Sequence, residues 1–113
     1  MITFLPHERK DIPLRVRWLN NRNANVFAVD DPNHVTNIAE QEKWFDDYEN
    51  KFALGQKKFF TIGDEEKPIG LMGLSNIDHD KKNANIFIMI GEDEYRGRGI
   101  GKQSLHFLIK YSF

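Results

Sequence analysis

The sequence predicts an α+β domain, with an antiparallel sheet of about four strands, two N-terminal helices and one C-terminal helix. Three observations predict it. Two stretches in the first half repeat apolar residues at helical spacing. Three β-compatible segments follow, joined by connections too short for a parallel crossover, and a glycine-rich turn then leads into a last helical pattern.

Taken in order, Ile2 to Leu5 is a short β-compatible run. Asp11 offers a side-chain cap, and Pro13 is tolerated in a first helical turn, where backbone N–H groups have no partner. Ile12, Val16 and Leu19 then recur at helical spacing, so a helix is expected from about Asp11 to Asn21, closing in the polar cluster Asn20-Asn21-Arg22-Asn23. Val26 to Val29 leads into Asp30-Asp31-Pro32-Asn33, which reads as loop or very short strand because proline disfavours helix just ahead of it. Asn37 and Glu40 have the form of a capping box, in which each side chain satisfies a backbone donor. The second helix starts there, places Ile38, Gln41, Phe45, Tyr48 and Phe52 along one face, and stops at Gly55.

Lys58 to Gly63, Ile69 to Ile77 and Ala84 to Ile90 are the three central strands. The separators, Asp64 to Pro68 and Asp78 to Asn83, are rich in turn residues, which makes the three an antiparallel meander. From about Gly99 the chain carries Ile100, Ser104, Phe107, Leu108 and Tyr111 at helical spacing.

Composition narrows the functional classes. At 113 residues and 40% hydrophobic content, one domain over 1–113 is expected. Lys+Arg 16 against Asp+Glu 17 leaves no global field to draw in nucleic acid or a membrane surface. Cysteine is absent, which removes disulfide frameworks and thiolate metal sites and fits a cytoplasmic setting. No apolar run approaches the roughly 20 residues that span a bilayer, and the start lacks a signal peptide's basic flank and apolar stretch. The four histidines, His7, His34, His79 and His106, show no ligand spacing, so no metal is expected.

The chemistry concentrates in Arg96-Gly97-Arg98-Gly99-Ile100-Gly101, where an apolar strand gives way to a helix. Glycine lets backbone approach a ligand closely and adopt positive φ, and the unpaired N–H groups and dipole of a helix start favour an anion. Arg96, Arg98 and Lys102 add formal charge. A Walker A loop is excluded, because Arg96 stands at its first glycine position and Gln103 follows Lys102. A dinucleotide fingerprint is excluded as well, because its third glycine position falls on Lys102 or Ser104 and the meander is antiparallel.

The segment resembles the acetyl-CoA motif of the GNAT superfamily of N-acetyltransferases, Gln/Arg-x-x-Gly-x-Gly/Ala, through Arg96, Gly99 and Gly101. The order of strand, two helices, meander, loop and helix is similar to that family's first two thirds. Tyr95 to Gly101 and the aromatic helix with Trp44 look most like the branch that acetylates ribosomal-protein N-termini, polyamines and amino sugars. The resemblance implies acetyl-CoA as cosubstrate and an amine acceptor. It implies cofactor binding by Ile88, Met89 and Ile90 through their main chain, and by Arg96, Gly97, Arg98, Gly99, Ile100, Gly101 and Lys102 at the pyrophosphate. It also places Trp18, Asn20 and Asn23 near the acceptor pocket, with Trp18 equally readable as core.

Two departures from the family pattern bear on catalysis. Where related enzymes often carry Ala-Glu-Ile-Gly, this chain has Ala84-Asn85-Ile86-Phe87, and Asn85 orients a water without accepting its proton. Glu92 and Asp93, just past the strand, are the nearby alternatives, readable also as solvated or dipole-stabilising turn acids, and Glu92 is the candidate general base. The chain also stops at Phe113, before the strand, helix and final strand pair with which the family fold continues. A shortened chain, a disrupted gene product or a chain completed by a partner each fits, and the uncovered sheet edge makes pairing with a second copy an expectation. The alternative to an enzyme is a degenerate module that binds CoA, or pairs with another chain, without catalysis.

Overall fold

The computed structural model describes residues 1–25 and 34–112, with the side chains of Asn23, Asn25 and Ser112 left aside. The stretch read as loop or very short strand, Val26 to Asn33, lies outside the described residues. The elements run β1 (Ile2–Pro6), α1 (Ile12–Leu19), a one-turn α2 (Arg22–Asn25), α3 (Ile38–Ala53), β2 (Lys58–Asp64), β3 (Lys67–Asp78), β4 (Asn83–Ile90) and α4 (Ile100–Ser112). The sheet is antiparallel throughout, in the order β1-β2-β3-β4. This is the α+β architecture expected, and the three central strands lie within two residues of their expected bounds.

The β2–β3 connection closes on Asp64 opposite Lys67, leaving a two-residue turn in which Glu65 has φ 56. Period-2 alternation divides the sheet into two apolar faces. Phe60, Ile62, Met72, Leu74, Ile88 and Ile90 pack with Ile100 and Leu108 of α4. On the other face, Phe59, Phe87, Leu71 and Met89 meet α1 and α3 through Ile12, Trp18, Phe45 and Tyr48.

Helix boundaries follow local chemistry, with three corrections. Asp11 does not cap α1: it ends a 3-10 turn over Arg9–Asp11, and its carboxylate accepts the Glu8 N–H at 2.9 Å instead. The expected helix to Asn21 breaks after Leu19, because Asn20 turns its side-chain amide to Thr36, donating to its carbonyl at 3.1 Å and accepting its N–H at 2.8 Å. The start of α3 is as expected on one side only. Asn37 accepts the Glu40 N–H at 2.9 Å, but the Glu40 carboxylate reaches His34 rather than closing a capping box. Gly55, at φ 72, ends α3 with the paired bonds of a left-handed cap, Gly55 N–H to Phe52 and Gln56 N–H to Lys51.

The buried face of α1 is Ile12, Arg15 and Trp18, with Val16 and Leu19 only half-buried. Apolar spacing pointed to a face rotated by about one residue. A buried arginine carries no apolar signal, and its burial here is made by α3.

Candidate active site

The site is built where β4 ends. Gly91 and Glu92 both donate their N–H to the Ile69 carbonyl, at 2.8 and 3.1 Å, the bond pattern of a β-bulge, in which one strand carries an extra residue and bends. These bonds also fix the ladder's parity. Residues that pair through hydrogen bonds alternate along an antiparallel ladder, so Met89 and Phe87 bond toward β3, opposite Leu71 and Gly73. Ile86, Ile88 and Ile90 present their main-chain N–H and C=O groups to the outer edge. Among the described residues no strand pairs with that edge.

Of the three strand residues expected to hold the cofactor arm, Ile88 and Ile90 therefore have main chain facing outward. Met89 does not: its main chain faces β3, and its side chain is buried against Trp18 and Leu71. Ile90 already lends its carbonyl to an Arg96 guanidinium N–H at 3.0 Å.

The end of α1 grips the bulge. Trp18 is 1% exposed, and its indole lies where a Gly91 side chain would be, with ring atoms 2.2 to 2.4 Å from a notional Cβ. Only glycine fits under that ring. Trp18 also donates its indole N–H to Glu92 Oε2 at 2.7 Å, and Arg17 pairs with the same carboxylate. Asn21 donates to Asp93 Oδ1 at 3.0 Å. These residues rim an open cavity of about 340 Å³.

Trp18 is thus core and site at once. Its indole N–H, helped by Arg17, holds the Glu92 carboxyl below its ordinary range, so Glu92 is a weaker proton acceptor than a free glutamate. Asn85 is exposed and brings no carboxylate to the strand. Asn20 is spent on Thr36, and Asn23's side chain lies outside what the structure describes.

The glycine-rich loop follows a 3-10 turn over Asp93–Tyr95, whose Tyr95 hydroxyl donates to Asp64 Oδ2 at 3.0 Å and moors the loop to β2. Gly97 and Gly99 have φ 77 and 76, a left-handed conformation that side chains rarely adopt. A Cβ at Gly97, Gly99 or Gly101 would meet nothing within 4 Å, so the loop's surface is open. Gln103 N–H bonds to the Gly99 carbonyl at 3.1 Å, which makes Gly99 the residue that starts α4. It has no side chain to cap the N–H groups of Ile100, Gly101 and Lys102, which stay available to an anion.

The loop's charges are distributed unequally. Arg96 folds back onto Ile90 and Asp93, and Arg98 lies over the Tyr95 ring at 4.9 Å. Lys102 is exposed. The backbone, more than the arginines, forms the open surface of the loop.

On the helical face of the sheet, Arg15 is 5% exposed and heads a buried polar chain. Its Nε–H donates to Gln41 Oε1 at 2.8 Å, and Nη1 lies 3.3 Å from His7 Nε2. With Nε2 accepting, His7 carries its proton on Nδ1 and donates to Thr61 Oγ1 at 2.8 Å. Thr61 in turn donates to Asp11 Oδ2 at 3.2 Å. Burial first, and the Arg15 charge second, push the His7 pKa down to about 3.

A histidine held neutral in the folded state binds fewer protons there than in the unfolded chain between about pH 3 and its ordinary 6.5. Stability should therefore fall as pH drops through this window, by up to about 1.4 kcal/mol per pH unit. Urea unfolding at stepped pH should show this slope in the native chain and a flatter one in His7→Gln. Identical profiles would contradict it.

Residues 2–113 match the family model described as acetyltransferase (GNAT) domain, and the chain belongs to that family. Solved structures carry the same fold. RimL, a ribosomal L7/L12 alpha-N-protein acetyltransferase in complex with coenzyme A, superposes with a TM-score of 0.83 at 21% identity, over 97% of this chain and 62% of its own. Spermidine N-acetyltransferase from Vibrio cholerae, in complex with CoA and spermine, gives 0.81 at 26% identity, over 99% and 63%. The microcin C7 self-immunity acetyltransferase MccE, in complex with acetyl-CoA and AMP, gives 0.80 at 22%, over 97% and 61%. The chain thus spans about three fifths of the length of these proteins. Sequence comparison with curated proteins finds no match. Among the described residues, no helix is long and apolar enough to cross a membrane, and no group of three or more His, Cys, Asp or Glu is placed to hold a metal ion.

Arg17, Asn21, Gly91 and Arg15 were not legible as site residues. Gly91 had a signal, since a glycine closing an apolar strand marks close approach of another group. The other three depend on contacts across the chain.

Proposed function

We propose that this chain, as one GNAT domain or the cofactor-binding portion of one, binds acetyl-CoA as cosubstrate and presents its thioester to a primary amine. A protein N-terminus, a polyamine or an amino sugar would supply the amine. The observation that carries this reading is one continuous surface. The outward main chain of Ile88 and Ile90 runs into the bulge at Gly91 and on to the uncapped start of α4 at Gly99. An extended chain of amides with a pyrophosphate at its end matches that surface, by strand-like pairing along β4 and anion capture at the loop.

In this reading the acceptor nitrogen attacks the thioester carbonyl, a C–N bond forms, and the CoA thiolate leaves. The amine's proton passes to water at the Trp18–Glu92 rim. Glu92, holding two donors already, orients that water or amine more than it takes the proton. The nearby CoA complexes of structural neighbours support the cosubstrate, and the lack of cysteine accords with a cytoplasmic setting.

Calorimetry with CoA tests the reading. Saturable heat is expected for the native chain, and its loss is expected in Gly99→Trp, where bulk enters the open loop. No heat from the folded native chain would overturn the reading.

Asn85, in a position where a carboxylate would serve a base, favours a second reading: a module that binds CoA, or pairs with a partner or second copy along the β4 edge, without turnover. Native chain that binds CoA yet transfers no acetyl group to any of the three amine classes would select it.

A further inference from the structure

Among the described residues, Arg15 is a buried cation with no carboxylate bonded to it. Of the five N–H donors of a guanidinium, one goes to Gln41 and one to His7. The remaining three meet no acceptor among the described residues. Trp44 covers one face of the group, its ring centroid 3.7 Å from Cζ, and contributes no hydrogen-bond acceptor. The nearest carboxylate along the polar chain, Asp11, is separated from Arg15 by neutral His7 and Thr61.

Such an arrangement is costly in a closed interior, because a buried charge and its spare donors both lose hydration. Burial accordingly lowers the Arg15 pKa, to about 9, which still leaves it charged at neutral pH. The interior is not closed here. Arg15 lines a cavity of about 210 Å³ with Leu19, His34, Thr36, Glu40, Gln41 and Trp44. The Thr36 hydroxyl oxygen accepts from Gln41 Nε2 at 2.9 Å, which leaves its own O–H to donate.

We propose that this cavity is a subsite for a carboxylate, with Arg15 as its anchor and Thr36 as a second donor. A carboxylate offers two oxygens to a planar fork and one negative charge to a guanidinium that no carboxylate among the described residues bonds. Glu40, on the same rim and bonded to His34 at 2.8 Å, disfavours a dianion such as phosphate. Trp44, which covers Arg15, packs against the same apolar cluster as Phe87 of β4, the neighbour in sequence of the outward-facing Ile88. Resting on the reading of the β4 edge as the acetyl-transfer surface, the carboxylate belongs to the acceptor, which makes the substrate class a carboxylate-bearing amine.

The test uses the 113-residue chain labelled with ¹⁵N and follows the Arg15 Nε–Hε resonance. Acetate is titrated first, with sodium chloride and inorganic phosphate at matched ionic strength. A saturable acetate shift at Arg15, absent with chloride, weaker with phosphate and reduced at least about tenfold in affinity in Arg15→Met, is the expected result. No saturable shift at Arg15, unchanged acetate binding in Arg15→Met, or tighter binding of phosphate would each overturn the proposal. If Arg15→Met does not fold, the native titration decides alone. A parallel CoA titration separates the two readings: acetate binding without CoA binding sinks the transferase reading and keeps the subsite, and the reverse sinks the subsite. With both intact, glycine and β-alanine should be better acetyl acceptors than ethylamine, and the opposite order would remove the carboxylate from the acceptor.

Discussion

Replacing Trp18 with alanine should lower folding stability by about 3–5 kcal/mol, the cost of emptying a fully buried aromatic site. The indole is 1% exposed and joins α1 to Leu71 of β3 and Met89 of β4. It also stands directly over Gly91, which has no side chain to fill the space it leaves. The loss extends to Glu92, which would keep its Arg17 partner but lose the 2.7 Å bond from the indole N–H. For a domain of this size the change should lower the thermal midpoint by more than about 10 °C. Trp18→Phe keeps most of the ring and gives up only the N–H, so its cost should be well below that of alanine. A thermal melt in which Trp18→Ala costs under about 1 kcal/mol would mean that α1 does not clamp the bulge.

The second large effect separates ligand binding from folding. Gly101→Ala should stabilise the chain by roughly 0.5–1 kcal/mol, because alanine is the better helix former, yet weaken CoA binding by at least about tenfold. Gly101 lies in the first turn of α4, outside the left-handed region, and its Cβ would meet no protein atom within 4 Å. Nothing in the fold therefore asks for glycine there. If a pyrophosphate rests on the N–H groups of that turn, a methyl group stands in its path. Thermal melts and calorimetry on the same preparation read both quantities. A variant that is more stable and binds CoA with native affinity would show that this turn does not touch the cofactor. Gly99→Ala is less discriminating, since φ 76 makes any side chain there strained.

Much of the architecture is written in local pattern. The turn-rich separators after Asp64 and Asp78 each leave too few residues for a crossover, which makes the meander antiparallel. Asn37 and Gly55 mark the two ends of α3 by capping chemistry that acts within a few residues. Where the sequence reading missed, the deciding partner is far along the chain. Asp11 was drawn into a 3-10 turn by Glu8, and α1 buries Arg15 because Gln41 and Trp44 of α3 receive it.

The site divides the same way. The glycine spacing from Gly97 to Gly101 is local and legible, as is the strand before it. Strand parity is not, so Met89 read as equivalent to Ile88 and Ile90, whereas bonds from Gly91 and Glu92 to Ile69 turn its main chain inward. Arg96 read as one of three formal charges on the loop, and its guanidinium closes the turn onto Ile90 and Asp93. Glu92 read as a candidate base, and only the fold brings Trp18 and Arg17 onto its carboxylate from 74 and 75 residues away.

One surface, from the β4 edge to the start of α4, is proposed to hold CoA. The most direct measurement is a ¹H–¹⁵N titration of the chain with CoA, resolved residue by residue. Saturable shifts are expected at the amides of Ile88, Ile90, Gly99, Ile100, Gly101 and Lys102, with Met89 much less affected. A spectrum that stays unchanged at saturating CoA, or shifts confined to residues off that surface, would contradict it.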